Sequence, residues 1–366
     1  MRIDSVELVI VELPLVRPFR TSFGTEHTRE ALLVHVRAGG CDGWGECVTG
    51  AEPLYSSEFN DGAFAVLTKF FIPRLIEAPD VAAADVARLL SPYKGHRMAK
   101  AALELAVLDA ELRAAGRSLQ DFLGGSGKRV TPGVSVGITT TIEELLGVVE
   151  AHRAEGYQRV KLKIEPGWDV EPVRQVRALL GEGFPLQVDA NAAYSLADAP
   201  HLAGLDDFDL LLIEQPLGEE DVVGHATLAA QLRTPICLDE SILSAATAAA
   251  AISLGACRVV NIKAGRVGGY LEASRIHDVC LEAGVPVWCG GMLETGIGRA
   301  ANLALATLPG FTLPGDISAT DRYYTEDVTP PFVLENGSIS VPTGPGIGAE
   351  VDTSTVDRLT TRRWHT

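Results

Sequence analysis

From residue 130 onward the chain repeats one pattern: a short apolar run rich in β-branched residues, a polar or Gly-rich turn, then a stretch with helical spacing. The runs fall at 134–138, 160–164, 186–189, 211–214, 235–239, 259–263, 286–289 and 311–316, with helix-like patterns such as 169–181 and 243–254 between them. Repeated β–α units of this length predict parallel strands joined by helices. A doubly wound sheet would also satisfy the pattern, but no G-x-G-x-x-G opens the first unit, and eight runs suit closure into a barrel. The expected fold is α/β, a (β/α)8-type barrel of modified TIM form.

The first part of the chain has a different rhythm. Residues 2–13 alternate, Ala31–Arg37 leads to a Gly39-Gly40 turn, and Cys41–Glu46 returns, which predicts a β-meander. Between its strands, Arg17–Thr25 is a polar stretch carrying Phe19 and Phe23. It reads either as a mobile lid loop or as an ordinary hairpin connection. Residues 60–123 are helical in pattern, most clearly Met98–Asp109, with Gly116 as the stop. After residue 320, Pro330-Pro331, Asn336-Gly337 and the Gly/Pro-rich 342–348 predict an irregular segment packing back on the N-terminal region.

Length and charge narrow the function. At 366 residues the chain suits a barrel of about 250 residues with something added. A net charge of -17 opposes nucleic acid and anionic membrane surfaces, whereas a small anionic substrate needs only a local cluster of cations. The opening residues carry acids where a signal peptide is apolar, and no apolar run approaches the roughly 20 residues that span a bilayer. The six cysteines form no C-x-x-C pair and read as small buried hydrophobes in a reducing cytoplasm, so a cytoplasmic enzyme is expected.

The middle strands each end in an ionisable residue: Lys163, Asp189, Glu214, Asp239 and Lys263, at separations of 26, 25, 25 and 24 residues. Each therefore recurs at the C-terminal end of its strand, where active sites of such barrels lie. Three carboxylates converging on one face repel one another unless a cation joins them. An all-oxygen donor set selects a hard ion, and open positions for water and substrate suit Mg²⁺. Asn191 can point to the same side. Glu240 competes with Asp239 as a ligand, because adjacent strand residues face opposite ways and only one can point inward. Lys161 and Lys163, two apart on one strand, both face the interior, where paired cations are expected to lower each other's pKa. Lys263 approaches from across the site. Arg266 reads as a surface ion pair, with positioning of Lys263 as the alternative. Together these residues suit removal of a proton beside a carboxylate, with the enediolate charge met by the metal ion and lysines.

On Lys161-Leu162-Lys163, Asp189-Ala190-Asn191, Glu214-Gln215-Pro216, Asp239-Glu240-Ser241 and Lys263, the chain resembles the enolase superfamily and, within it, the muconate lactonizing enzyme subgroup. Gly290–Arg299 and Leu313–Ser318 resemble more narrowly the N-succinylamino acid racemase / o-succinylbenzoate synthase family. The resemblance implies an α+β capping domain from residues 1–125 with a lid at about 17–27, a barrel over 126–320, and a 321–366 segment completing the cap. It implies Lys163 and Lys263 as acid/base groups and Asp189, Glu214 and Asp239 as ligands of Mg²⁺, for which Mn²⁺ or Co²⁺ can substitute. That settles Asp239 over Glu240, leaving Glu240 and Arg266 as supporting residues. Ser135, Lys161, Asn191 and the Gly291-Met292 backbone are implied to contact substrate, with Phe19 and Phe23 closing over it. The expected partner is a small carboxylate, and a homo-oligomer is expected.

Two chemistries share such a site. Racemisation needs a base on each face of the α-carbon, whereas syn-dehydration to o-succinylbenzoate, a step of menaquinone biosynthesis, needs one lysine as base and then acid. Possession of both lysines permits either reaction. Dipeptide epimerases of the same subgroup carry Asp-x-Asp at the eighth strand to hold a free amino group, where this chain has Asp316-Ile317-Ser318. Muconate cycloisomerase is disfavoured by Gly291–Glu294. A non-catalytic binding relative would have no reason to retain three repelling acids and two buried lysines.

Overall fold

The computed structural model describes all of residues 1–366. Apolar positions at Val6, Leu8, Ile10 and Leu13 are buried along β1 (Ile3–Thr21), which pairs antiparallel with β2 (Gly24–Ala38), itself paired with β3 (Cys41–Cys47). The inner face of this meander lies on α1 (Arg97–Ala114), whose run of alanines admits a close approach. Gly43 and Gly45 complete that fit: a Cβ on either would stand 2.0 Å from a backbone oxygen of α1. Three shorter helical segments, Asn60–Val66, Ile72–Glu77 and Ala83–Leu89, precede α1.

Of the two readings of the stretch around 17–27, the structure shows the hairpin connection: it is the outer end of the β1–β2 hairpin. Phe19 pairs with Glu26, Arg20 with Thr25 and Thr21 with Gly24, leaving only Ser22 and Phe23 in the turn. The ladder satisfies the backbone of this polar stretch, so polarity here marks an exposed hairpin tip rather than loose chain. The tip reaches the barrel: Ile138 N–H donates to Arg20 O at 3.0 Å, and Arg20 pairs with Glu165 at 3.1 Å.

The repeating part forms a curled parallel sheet of seven strands in sequential order: β4 (Val134–Val136), β5 (Val160–Lys163), β6 (Leu186–Asp189), β7 (Ile213–Glu214), β8 (Ile236–Leu238), β9 (Val259–Ile262) and β10 (Val287–Cys289). Helices run between most neighbours: α2 (Ile142–Glu155), α3 (Val170–Leu180), α4 (Val222–Ala229), α5 (Ala245–Ser253) and α6 (Tyr270–Glu282), followed by α7 (Gly296–Leu305). Their starts are written in the sequence. Thr141, Asp221, Ser244 and Thr295 each accept an N–H from the first turn that follows, while Gly156 ends α2 at φ 104°.

The eighth run, 311–316, does not form a regular strand. It spans the gap between β10 and β4 through single bridges, Val287 to Phe311 and Pro132 to Gly315, with Asp316 N–H donating to Cys289 O at 2.8 Å. Pro314 has no N–H for a ladder, so the barrel closes through isolated contacts here. Inside it, Leu212, Cys237, Val259 and Trp288 pack as a small cluster beneath the strand ends.

The tail also differs from expectation. It is irregular through 342–350, but β11 (Thr360–His365) pairs antiparallel with β1, Leu8 opposite Trp364, and makes the fourth strand of the N-terminal sheet. Its polar sequence suits an edge strand, which keeps one side in water. No helix is long and apolar enough to cross a membrane.

Candidate active site

Parallel pairing fixes the site in register. Lys163 on β5 is paired with Asp189 on β6, and Asp189 with Glu214 on β7, so three chemically active side chains sit side by side at the strand ends. Just beyond them the backbone takes left-handed values at Asn191 (φ 43°), Ala192 (62°) and Gln215 (37°), which non-glycine residues seldom adopt. Gln215 uses this turn to hold the next strand end. Its Oε1 accepts from Asp239 N–H at 3.0 Å and Ser241 N–H at 3.2 Å, while its Nε2 donates to Ser241 Oγ at 2.8 Å.

Asp239 and Glu240 lie past the end of β8, so the strand alternation that was expected to turn one of them away does not operate. Both are buried at the site. Asp239 Oδ2 meets Lys263 Nζ at 2.8 Å and Tyr55 Oη at 3.2 Å, and Glu240 Oε1 accepts from Asn191 Nδ2 at 2.9 Å.

The three lysines are held by these carboxylates. Lys163 Nζ donates to Asp189 Oδ2 at 2.7 Å and Asn191 Oδ1 at 2.6 Å. Lys263 lies four strands away on the other side of the curl, just past β9, and donates to Tyr55 Oη at 3.0 Å. Lys161 Nζ stands between Asp189, Glu214 and Asp316 at 3.0, 2.9 and 2.6 Å, over the Trp288 ring. The expectation that Lys161 and Lys163 lower each other's pKa fails for Lys161. Burial does oppose its charge, but Asp316, Glu214 and Asp189 outweigh burial and hold it well above the usual range. Lys263 is raised in the same way, burial being outweighed chiefly by Asp239. Arg266 is also unlike its sequence reading. It is 4% exposed and meets Asp239 Oδ1 at 2.9 Å, so it is a buried partner of the carboxylate that holds Lys263 rather than a surface ion pair.

The carboxylates do not stand as a ready cage, because the lysine ammonium groups occupy the space between them. Their chemistry nevertheless fits a hard divalent cation: Asp189, Glu214 and Asp239 are all-oxygen, buried and on successive strand ends. Asp239 Oδ1 is buried without a hydrogen bond, and burial followed by repulsion from Asp189 pushes Glu214 up to about 8. The repulsion on Glu214 is what a divalent cation among these carboxylates would relieve, while Asp239 Oδ1 already has the Arg266 guanidinium at 2.9 Å.

Two connected spaces open above these groups. A small one of ≈ 60 Å³ is lined by Ser135, Lys161, Lys163, Lys263, Gly291 and Phe19 among others. A larger one of ≈ 270 Å³ adds Phe23, Tyr55, Asn191 and Met292 and runs out along the hairpin tip. Every residue expected to touch substrate therefore borders this space. The buried Ser135 Oγ has no partner, and Phe19 and Phe23 pack edge-on or tilted against Tyr323 and Tyr55 at 5.9 and 6.0 Å. Gly290 and Gly291 must lack side chains, since a Cβ would stand 2.3 Å from Asn261 Oδ1 in one case and 2.5 Å from Asp316 O in the other.

Four participants went unread in the sequence. Tyr55 comes from a loop of the N-terminal region. Asn261 Nδ2 donates to Glu214 Oε1 at 2.7 Å, Arg159 Nη1 meets Asp316 Oδ1 at 2.7 Å, and Gln215 pins the Asp239 turn. For Asn261 and Arg159 a signal existed. Asn261 is a polar residue two places before Lys263 in a run otherwise apolar, and Arg159 continues the alternation of Lys161 and Lys163 at two-residue spacing.

His225 supports the same corner. It is fully buried, and its Nε2 accepts from Leu217 N–H at 3.2 Å, two residues past Gln215. Burial holds this imidazole below its ordinary range. A histidine whose folded pKa is depressed leaves stability intact above the unfolded value of about 6.5 and loses it as pH falls toward the folded value. The melting temperature is therefore expected to fall below pH 6.5, and a His225→Gln variant to show a shallower fall over pH 5–7. Equal slopes for the two proteins would remove His225 from this account.

Comparison with known proteins agrees with this geometry. Residues 5–124 match the family described as mandelate racemase / muconate lactonizing enzyme, N-terminal domain, and residues 145–355 match that described as enolase C-terminal domain-like. The chain is 62% identical to an N-succinylamino acid racemase of Amycolatopsis sp, with 99% of each chain covered. It is 48% identical to the o-succinylbenzoate synthase of Geobacillus kaustophilus, covering 98% of this chain and 96% of that one. A solved structure of an enolase-superfamily member from Listeria innocua superposes with a TM-score of 0.95 at 39% identity, covering 100% of this chain and 99% of the other. The chain thus belongs to the mandelate racemase / muconate lactonizing enzyme family of the enolase superfamily, whose members act on small carboxylates with a divalent metal ion.

Proposed function

We propose that the protein abstracts the proton α to a carboxylate of an N-succinyl or other N-acyl amino acid and returns it to either face, as an N-succinylamino acid racemase. In the same site it carries out the syn-dehydration that yields o-succinylbenzoate. The observation that carries this reading is the placement of Lys163 and Lys263 four strands apart, bordering one cavity. Each lysine can reach one face of an α-carbon held between them. One takes the proton as a neutral amine while the other, as an ammonium, supplies a proton to the opposite face.

Asp189, Glu214 and Asp239 would hold Mg²⁺, which supplies positive charge beside the carboxylate whose α-proton leaves. The chain's own groups do the rest. Lys161, kept charged by its carboxylates, faces the developing negative charge. Asn191 orients Lys163, and Ser135 Oγ and the Gly291-Met292 backbone offer polar contacts to the substrate. Phe19 and Phe23 on the hairpin tip shield the site from water.

The buried ion pairs disfavour a dipeptide. Its free amino group would need Asp316, which is committed to Lys161 and Arg159.

The test is incubation with MgCl2 and an N-succinyl-L-amino acid in D2O. Loss of the α-proton NMR signal with formation of the D-enantiomer is expected. Rapid turnover of the hydroxy-acid precursor of o-succinylbenzoate without any α-exchange would leave only the synthase. Activity on dipeptides alone would sink both readings.

A further inference from the structure

The carboxylate of Glu46, at the end of β3, is used by none of the chemistry above, yet it is 3% exposed and reaches across to the barrel. Its Oε2 accepts from Thr295 Oγ1 at 2.7 Å and Gly298 N–H at 3.0 Å, and its Oε1 from Thr295 N–H at 3.0 Å. Thr295 is the residue just before α7, so Glu46 holds the start of that helix from another part of the fold. Glu294 lies against the same spot. Its Oε2 accepts from Met292 N–H at 2.8 Å and its Oε1 from Asn302 Nδ2 at 2.9 Å. The two acids converge on Gly298, where a Cβ would be 2.9 Å from Glu46 Oε2 and 2.7 Å from Glu294 Cγ. The turn they grip carries Leu293 at φ 55°, and Gly291, Leu293 and Glu294 line the catalytic cavity.

We infer that Glu46 is a positioning residue. It fixes the 290–295 turn so that the Gly291-Met292 backbone faces the substrate, and it couples the N-terminal sheet to that wall of the site. The geometry is particular: a backbone turn with a left-handed residue has few hydrogen bonds of its own, and here its far end is held by a buried carboxylate with three donors. The effect on substrate rests on the function proposed above; the effect on the turn does not.

The experiment compares Glu46→Gln, Thr295→Val and, as a control, Asp109→Asn. Asp109 is equally buried and accepts from Trp44 and Ile347 N–H at 2.9 and 2.7 Å, but touches nothing that lines the cavity. Glu46→Gln is expected to raise KM for an N-succinyl amino acid about tenfold with little change in kcat, the scale of one lost charge-assisted hydrogen bond. Thr295→Val should shift KM in the same direction by less, and the double variant should not exceed Glu46→Gln. Hydrogen exchange followed by mass spectrometry should speed up in the 290–298 peptide for both variants, whereas Asp109→Asn lowers the melting temperature without either change. Glu46→Gln and Thr295→Val proteins that melt earlier but keep the parent KM and the parent exchange in 290–298 would overturn the inference. A parent protein inactive on N-succinyl amino acids would refute the proposed function, and the exchange measurement would then decide the role of Glu46 alone.

Discussion

Replacing Lys163 with alanine is expected to abolish racemisation, with kcat falling on the order of 10³-fold or more, the usual weight of a positioned acid/base group. The informative part is the residue of activity. In D2O, Lys163→Ala should retain α-proton exchange from at most one enantiomer, and Lys263→Ala from at most the other. Lys263 still stands over the Tyr55 ring on its own side of the cavity when Lys163 is gone. Asp189 and Asn191 would lose one ammonium partner, but Lys161 remains on Asp189, so the fold should hold and loss of rate can be attributed to chemistry. Proton NMR on each pure enantiomer reads this directly. Exchange of both enantiomers at the parent rate by either variant would mean that the two lysines are not the paired bases.

The second large effect is expected at Asp239. Its carboxylate is the buried counter-charge of both Lys263 and Arg266, at 2.8 and 2.9 Å. Asp239→Asn leaves two buried cations facing a neutral amide, a loss on the order of 3–5 kcal/mol where a buried pair is broken. It also removes one of the three oxygen donors proposed for the metal. At a hundredfold excess of Mg²⁺ over its dissociation constant, the parent should gain about 2.7 kcal/mol of stability. Urea titrations with and without MgCl2 should show that gain in the parent and not in the variant, together with a lower midpoint in both conditions. A variant that unfolds at the parent midpoint and responds to Mg²⁺ like the parent would contradict the assignment of Asp239.

The two predictions show how far the linear chain carries. That Lys163, Asp189, Glu214, Asp239 and Lys263 belong to one site was legible, because a parallel sheet converts equal spacing along the chain into equal height in space. Their supports were less legible. Tyr55 lies more than 100 residues from every strand-end group it touches, in a loop with no periodicity to place it. Arg266 looked like a surface residue because a single arginine after a turn usually is one, and only the packing of the short helix after β9 buries it on Asp239.

By itself, the sequence determined the repeating β–α architecture, the helix starts, the order of charges around the barrel and the class of chemistry. All of these depend on short-range rules, namely side-chain periodicity, capping and the fixed length of a β–α unit. Tertiary structure alone decided the rest. Residues 360–365 became a fourth edge strand, and the eighth barrel segment an irregular closure. Asp239 and Glu240 both entered the site because β8 stops one residue short of them. In each case the outcome depends on a partner distant in sequence, which supplies the hydrogen bonds or counter-charge that the segment lacks on its own. The two lysines and three carboxylates could thus be read from the chain, while the groups that hold them in place could not.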